Sequence, residues 1–171
     1  MRARDKELGA FAEKGLLAGF GPEEIEAVLA AARRLECPAG KTIMREGDAG
    51  ETMYLLADGE VEVSKNLTLK LGLHDFARAE KSMTRISAAI APVFGEMALF
   101  ASEPRSATVT AATTCVLYEI DRAAFWALGE RNPRLALELV RRIAAILSSR
   151  VRKGNEEILK LSTALSIALS R

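Results

Sequence analysis

Met53-Tyr54-Leu55-Leu56-Ala57-Asp58-Gly59-Glu60-Val61-Glu62-Val63 is the stretch on which the fold turns. Met53 to Ala57 is a short apolar run of strand length, and Glu60 to Val63 alternates polar with apolar. Asp58-Gly59 between them predicts a tight hairpin turn. Farther along, Thr108-Val109-Thr110-Ala111 and Cys115-Val116-Leu117-Tyr118-Glu119-Ile120 are two more runs rich in β-branched residues. Short strands punctuated by glycine, from Lys41 to about Ile120, predict a small β-barrel or roll.

Outside this region the period changes. Residues 5–18 place Leu8, Phe11, Ala12 and Leu16 near a helical repeat. Gly21-Pro22-Glu23-Glu24 opens a second helix, because proline suits the first helical position and carboxylates suit the positive end of the helix dipole. Its expected buried stripe is Ile25, Val28, Leu29, Ala32 and Leu35, ended by Cys37-Pro38-Ala39-Gly40. The insert 66–92 is the least legible part. Its middle, His74 to Met83, reads as a helical turn or two, and Arg85 to Ile90 as a strand. After Asp121 the chain is helical, broken near Asn132-Pro133. From Val140 onward a seven-residue repeat sets Val140, Leu147, Gly154, Leu161 and Ala168 on one line and Ala144, Val151, Ile158 and Leu165 on the other. A single small domain cannot cover so long a helix, so a homodimer through it is expected. Gly154 is the weak point of that seam.

The 171 residues suffice for one domain with an appendage. Hydrophobic residues at 49% and charged residues at 27% describe a packed chain rather than a disordered one. A net charge of +1, from 24 basic and 23 acidic residues, argues against a nucleic-acid partner. Cys37 and Cys115 lie outside any paired-cysteine motif and read as two free thiols. With no signal peptide and no apolar run of membrane-spanning length, the expectation is a cytoplasmic protein without membrane contact. His74 is the only histidine, so a histidine-carboxylate metal site is not expected. Ser106 has no histidine to activate it, and no catalytic residue or enzyme activity is predicted.

Binding chemistry gathers in Phe94-Gly95-Glu96-Met97-Ala98-Leu99-Phe100-Ala101-Ser102-Glu103-Pro104-Arg105-Ser106-Ala107-Thr108-Val109. Gly95-Glu96 opens an apolar helical turn, whose first N–H groups are free to meet an anion. Arg105 supplies a fork that grips phosphate oxygens through parallel hydrogen bonds. Ser106 adds a hydroxyl, and Ala107 is small enough for its N–H to approach a ligand. Glu96 repels phosphate but accepts from a sugar hydroxyl. Carboxylate and guanidinium together point to a ligand carrying both ribose and phosphate.

This segment closely resembles the phosphate-binding cassette of cyclic nucleotide-binding domains, the family of the bacterial catabolite activator protein and of the regulatory subunits of cyclic-AMP-dependent kinase. Ala39-Gly40, Glu46-Gly47-Asp48, Tyr54-Leu55 and Asp58-Gly59-Glu60-Val61 are similar to that family's first strands. The resemblance implies an α+β fold: a double-stranded β-helix, or jelly-roll-like β-roll, flanked by N-terminal helices and a long C-terminal helix. It implies a binding domain over 1–133 and a lid and dimerisation helix over 134–171. The ligand it implies is cyclic AMP or cyclic GMP, held by Phe94, Gly95, Glu96, Met97, Ala98, Arg105, Ser106, Ala107 and Arg150, with no metal. Glu96 would accept from the ribose 2′-hydroxyl, Arg105 would pair with the equatorial phosphate oxygen, and backbone N–H groups of the cassette would complete the cradle. Carrying the register of the bacterial activators onward puts Arg150 near the base, where it stacks, bonds the base edge or stays a surface arginine.

Three departures qualify the likeness. The insert before Phe94 is long for the family, and the usual Pro-Gly-Asp is reduced to Ala91-Pro92-Val93. The sequence given stops at Arg171, with no winged helix-turn-helix after the long helix. The expectation is therefore a stand-alone sensor acting through its C-terminal helix or an unidentified effector protein. The alternative is a relative that has lost its ligand and serves for dimerisation or docking.

Overall fold

The computed structural model describes residues 3–70, 76–90 and 92–170. Two helices, α1 (Ala3–Glu13) and α2 (Pro22–Ala30), flank a 3-10 turn at Gly15–Leu17. The strands follow as β1 (Arg33–Cys37), β2 (Thr42–Met44), β3 (Thr52–Asp58), β4 (Glu60–Lys70), β5 (Phe76–Ser87), β6 (Val93–Phe94), β7 (Thr108–Ala111) and β8 (Cys115–Asp121). Two helices, α3 (Arg122–Arg131) and α4 (Pro133–Leu169), complete the chain. One antiparallel sheet has the order β1-β8-β3-β6 and the other β2-β7-β4-β5. This is the jelly-roll-like β-roll with flanking helices that the cassette implied.

The turn at Asp58-Gly59 is real, yet it does not close a hairpin. β3 pairs with β8 and β6, while β4 pairs with β7 and β5, so Gly59 carries the chain from one sheet to the other. Gly59 has φ +90°, and a Cβ there would lie 2.5 Å from the Thr114 carbonyl oxygen and 2.9 Å from Cys115 Sγ. Only glycine fits. Met53 to Ala57 of β3 is apolar because both faces of the strand are covered there, Met53 to Leu56 being buried. Met53 and Leu55 join a core beneath the helices with Leu17, Ile25, Val28, Ile120, Leu139 and Ile143. Tyr54 and Leu56 point the other way, into the roll, with Val61, Phe94, Val109, Cys115 and Leu117. Cys37 and Cys115 are both free and buried, as the sequence suggested.

Three other expectations need correction. The second helix ends at Ala30, and Arg33–Cys37 is a strand, each residue facing a partner on β8. Ala32 and Leu35 therefore do not continue a helical stripe. The insert is also no helix where it is described: β5 extends β4 in a long antiparallel ladder from Glu60↔Ser87 to Lys70↔Phe76. Alanine, arginine, glutamate and lysine favour helix in isolation, and pairing with β4 overrides that preference. The strand read at Arg85 ends at Ser87, and a 3-10 turn covers Ala88–Ile90. His74 lies outside the described residues. Finally, α3 packs onto the core through Phe125 and Leu128, while Trp126 is 47% exposed.

α4 is 37 residues long, opened by Asn132, whose Oδ1 accepts from the Leu135 N–H, and by Pro133. Leu135, Ala136, Leu139 and Ile143 bury its first turns. Arg142 fastens it further: its guanidinium donates to the carbonyls of Leu16 and Ala18 and lies 4.1 Å from the centre of the Phe20 ring. From Val151 to Ser170 every residue is exposed.

Candidate functional site

β6 delivers Gly95 to the mouth of the roll with φ +72°. A Cβ at this position would stand 2.8 Å from Arg105 Nη1 and 2.9 Å from the Thr52 carbonyl oxygen. The left-handed turn starts a 3-10 turn, Glu96–Leu99, and swings the Glu96 side chain inward to 1% exposure. Arg150 of α4 donates to Glu96 Oε1 at 2.5 Å and to the Val93 carbonyl at 2.6 Å. Glu96 Oε2 is buried and has no hydrogen-bond partner. A buried carboxylate oxygen without a donor costs free energy until a donor arrives.

Arg105 is 8% exposed and is held wholly by uncharged groups. Nη1 donates to the Thr52 carbonyl at 2.6 Å and more weakly to that of Gly95 at 3.3 Å. Nη2 donates to Thr52 Oγ1 at 2.7 Å. The arginine backbone is fixed in turn, its N–H donating to the Asp48 carbonyl and its own carbonyl accepting from the Gly47 N–H, both at 2.9 Å. Gly50 packs so closely that a Cβ would sit 2.3 Å from Arg105 Nε. Among the described residues no carboxylate forms an ion pair with Arg105. A buried guanidinium with neutral neighbours is an uncompensated charge, and an anion is what it lacks.

The remaining predicted residues frame this pair. Phe94 is buried and stacks on Tyr54 with ring centres 5.2 Å apart. Ala98 is buried, Met97 half exposed, Ser106 exposed and Ala107 half buried. Arg150 lies on the cassette carboxylate with its side chain 44% exposed, a surface arginine as one of the open readings had it, with a contact to Glu96 that the sequence did not foretell. Sequence reasoning missed Gly50, Thr52 and Arg122. Arg122 donates to the Ala98 and Ala101 carbonyls and to Ser102 Oγ, tying the cassette to the start of α3. Among the described residues no cluster of three or more histidine, cysteine or acidic side chains is placed to hold a metal. A separate polar recess is lined by Thr42, Arg45, Asn66, Thr108 and Thr110; none of these is buried, and neither Glu96 nor Arg105 lines it.

Comparison with known proteins agrees with this geometry. The family model described as the cyclic nucleotide-binding domain matches residues 34–132. A cyclic nucleotide-gated potassium channel of Mesorhizobium japonicum is 35% identical over 125 residues, covering 73% of this chain and 30% of the channel. The cyclic AMP receptor protein of Thermus thermophilus is 33% identical over 149 residues, covering 86% of this chain and 62% of that protein. The crystal structure of the Thermus thermophilus catabolite activator protein superposes with a TM-score of 0.71 at 31% identity, over 86% of this chain and 62% of that one. The chain thus spans less than two thirds of these relatives. Among the described residues no helix is long and apolar enough to cross a membrane.

Proposed function

Because the chain belongs to the cyclic nucleotide-binding domain family, we propose that it is a non-catalytic cytoplasmic sensor that binds cyclic AMP or cyclic GMP between Glu96 and Arg105. One observation carries this reading. A buried carboxylate with an unpartnered oxygen and a buried guanidinium with only neutral partners lie on either side of Gly95, whose carbonyl accepts from Arg105 Nη1. A ribose hydroxyl donates to the first, and a cyclic phosphate neutralises the second. The backbone of the cassette from Gly95 to Ala98 and from Arg105 to Ala107 forms the cradle. α4 is the output element, since Arg150 links it to the carboxylate that meets the sugar. Its exposed line of Val151, Ile158, Leu161 and Leu165 continues the seven-residue repeat and fits a second copy of the same helix. An effector protein or further segments reading α4 are equally part of this proposal.

A different observation favours the ligand-free alternative. Arg150 already neutralises Glu96, as it would in a module that had given up its nucleotide. Thermal shift and calorimetry with both cyclic nucleotides separate the two. A binding-competent site raises the melting midpoint with ligand concentration, and Arg105→Ala lowers affinity by roughly a hundredfold. No shift with either nucleotide, from a folded protein, leaves only the docking role.

A further inference from the structure

Behind Arg105 runs a chain of hydrogen bonds that reaches the far edge of the first sheet. Arg105 Nη2 donates to Thr52 Oγ1 at 2.7 Å, and Thr52 Oγ1 donates to Tyr54 Oη at 3.1 Å. Tyr54 Oη donates to Glu119 Oε1 at 3.0 Å, and Glu119 Oε2 accepts from Arg33 Nε, also at 3.0 Å. Strand register builds this arrangement. Arg33, Glu119, Tyr54 and Phe94 are successive cross-strand partners on β1, β8, β3 and β6, and Thr52 lies two residues before Tyr54, on the same face.

The chain has only one consistent polarity. A guanidinium can only donate, and an ionised carboxylate can only accept. Thr52 must therefore turn its lone pairs to Arg105 and its proton to Tyr54, and Tyr54 must give its proton to Glu119. Successive bonds oriented alike strengthen one another. The Thr52 carbonyl and hydroxyl together take Arg105 from two nitrogens, which fixes the plane of the guanidinium and so the direction of its remaining N–H groups.

We propose that Thr52, Tyr54 and Glu119 are positioning residues for phosphate recognition, holding the Arg105 fork at one orientation toward the cyclic phosphate. This rests on the cyclic nucleotide reading given above. Neither Tyr54 nor Glu119 meets the ligand in this scheme; each acts through its neighbour.

The test compares the full chain with Thr52→Val, Thr52→Ser, Tyr54→Phe and Glu119→Gln. Each is titrated with cyclic AMP and with the two phosphorothioate diastereomers that replace one or the other exocyclic oxygen by sulfur. Thr52→Val is expected to lose about tenfold in affinity for cyclic AMP and most of the discrimination between diastereomers. Thr52→Ser restores both, and Tyr54→Phe and Glu119→Gln shift both in the same direction by less. The diastereomer ratio is the decisive readout, because general loosening of the fold does not select one phosphate oxygen. Should Thr52→Val not fold, Tyr54→Phe carries the test, since it keeps the ring stacked on Phe94. A wild-type chain that binds with clear diastereomer preference, with every variant keeping that preference, overturns the relay and leaves the function standing. A wild-type chain that binds no cyclic nucleotide overturns the function and the relay with it.

Discussion

Gly50 and Gly59 both stand where a side chain will not fit, but the atoms they would strike differ in kind. At Gly59 the obstacle is backbone, the Thr114 carbonyl, and φ is positive. Gly59→Ala is expected to lower stability by about 1–3 kcal/mol, read as a lower denaturant midpoint at unchanged slope. At Gly50 the obstacle is the end of the Arg105 side chain, which can swing away. Gly50→Ala should keep its melting midpoint and lose nucleotide affinity; the reverse pattern would place Gly50 outside the site. Titration is also a residue-scale matter. Burial pushes the thiols of Cys37 and Cys115 and the Tyr54 hydroxyl above their ordinary ranges. Each is then neutral in the fold where the unfolded chain has begun to ionise. Their contribution is intact below about pH 8.5 and is lost as pH rises through the raised values. Melting midpoints should fall through the alkaline range, less steeply in Cys37→Ala/Cys115→Ala, and a variant profile parallel to wild type would contradict this. Glu96 and Arg105 were legible from sequence because both lie in one short segment of telling composition. Gly50 and Thr52 were not, because they meet Arg105 only after β3 and the cassette have been brought together by the roll.

At the scale of elements, apolar runs were read well and polar ones were not. β3, β7 and β8 carry their own signal in β-branched and aromatic residues. β1, Arg33-Arg34-Leu35-Glu36-Cys37, shows little but charge, and becomes a strand because β8 offers an edge and Glu119 a partner for Arg33. β5 carries a run of helix formers, Ala77-Arg78-Ala79-Glu80-Lys81, and follows β4. The turn at Gly59 was found but its topology was not, since a tight turn looks alike whether it joins strands of one sheet or of two. The joint between α4 and the cassette gives an element-scale prediction. Arg150→Ala leaves Glu96, with its side chain 2% exposed, as a buried charge without its cation. Because the Arg150 side chain is 44% exposed, the loss should be a discounted one, about 1–2 kcal/mol by urea denaturation. Amide exchange should quicken over 144–150 and stay slow over Leu135–Ile143, where packing rather than Arg150 holds the helix. Uniform exchange along the helix would deny the joint.

For the whole molecule, the unanswered surface is the second half of α4. Its seven-residue repeat was plain in the sequence, and the structure leaves Val151, Ile158, Leu161 and Leu165 each at least 60% exposed. Such a line of large apolar side chains on an isolated helix is not stable in water. Sedimentation should give twice the chain mass, and Ile158→Lys combined with Leu165→Lys should give a monomer that still binds nucleotide. A wild-type chain that sediments as a monomer at high concentration would remove the seam as a dimer contact.

The Arg150 joint also fixes where α4 leaves the body of the protein. The helix beyond it, Val151 to Leu169, measures about 27 Å at ~1.5 Å per residue. In the proposed sensor it would serve as a lever with its fulcrum at Glu96. A tilt of about 10° there carries Leu169 through about 5 Å, close to one turn of helix. On the proposed function, a small loss or gain of grip on one carboxylate would become a displacement large enough to change what the far end can touch.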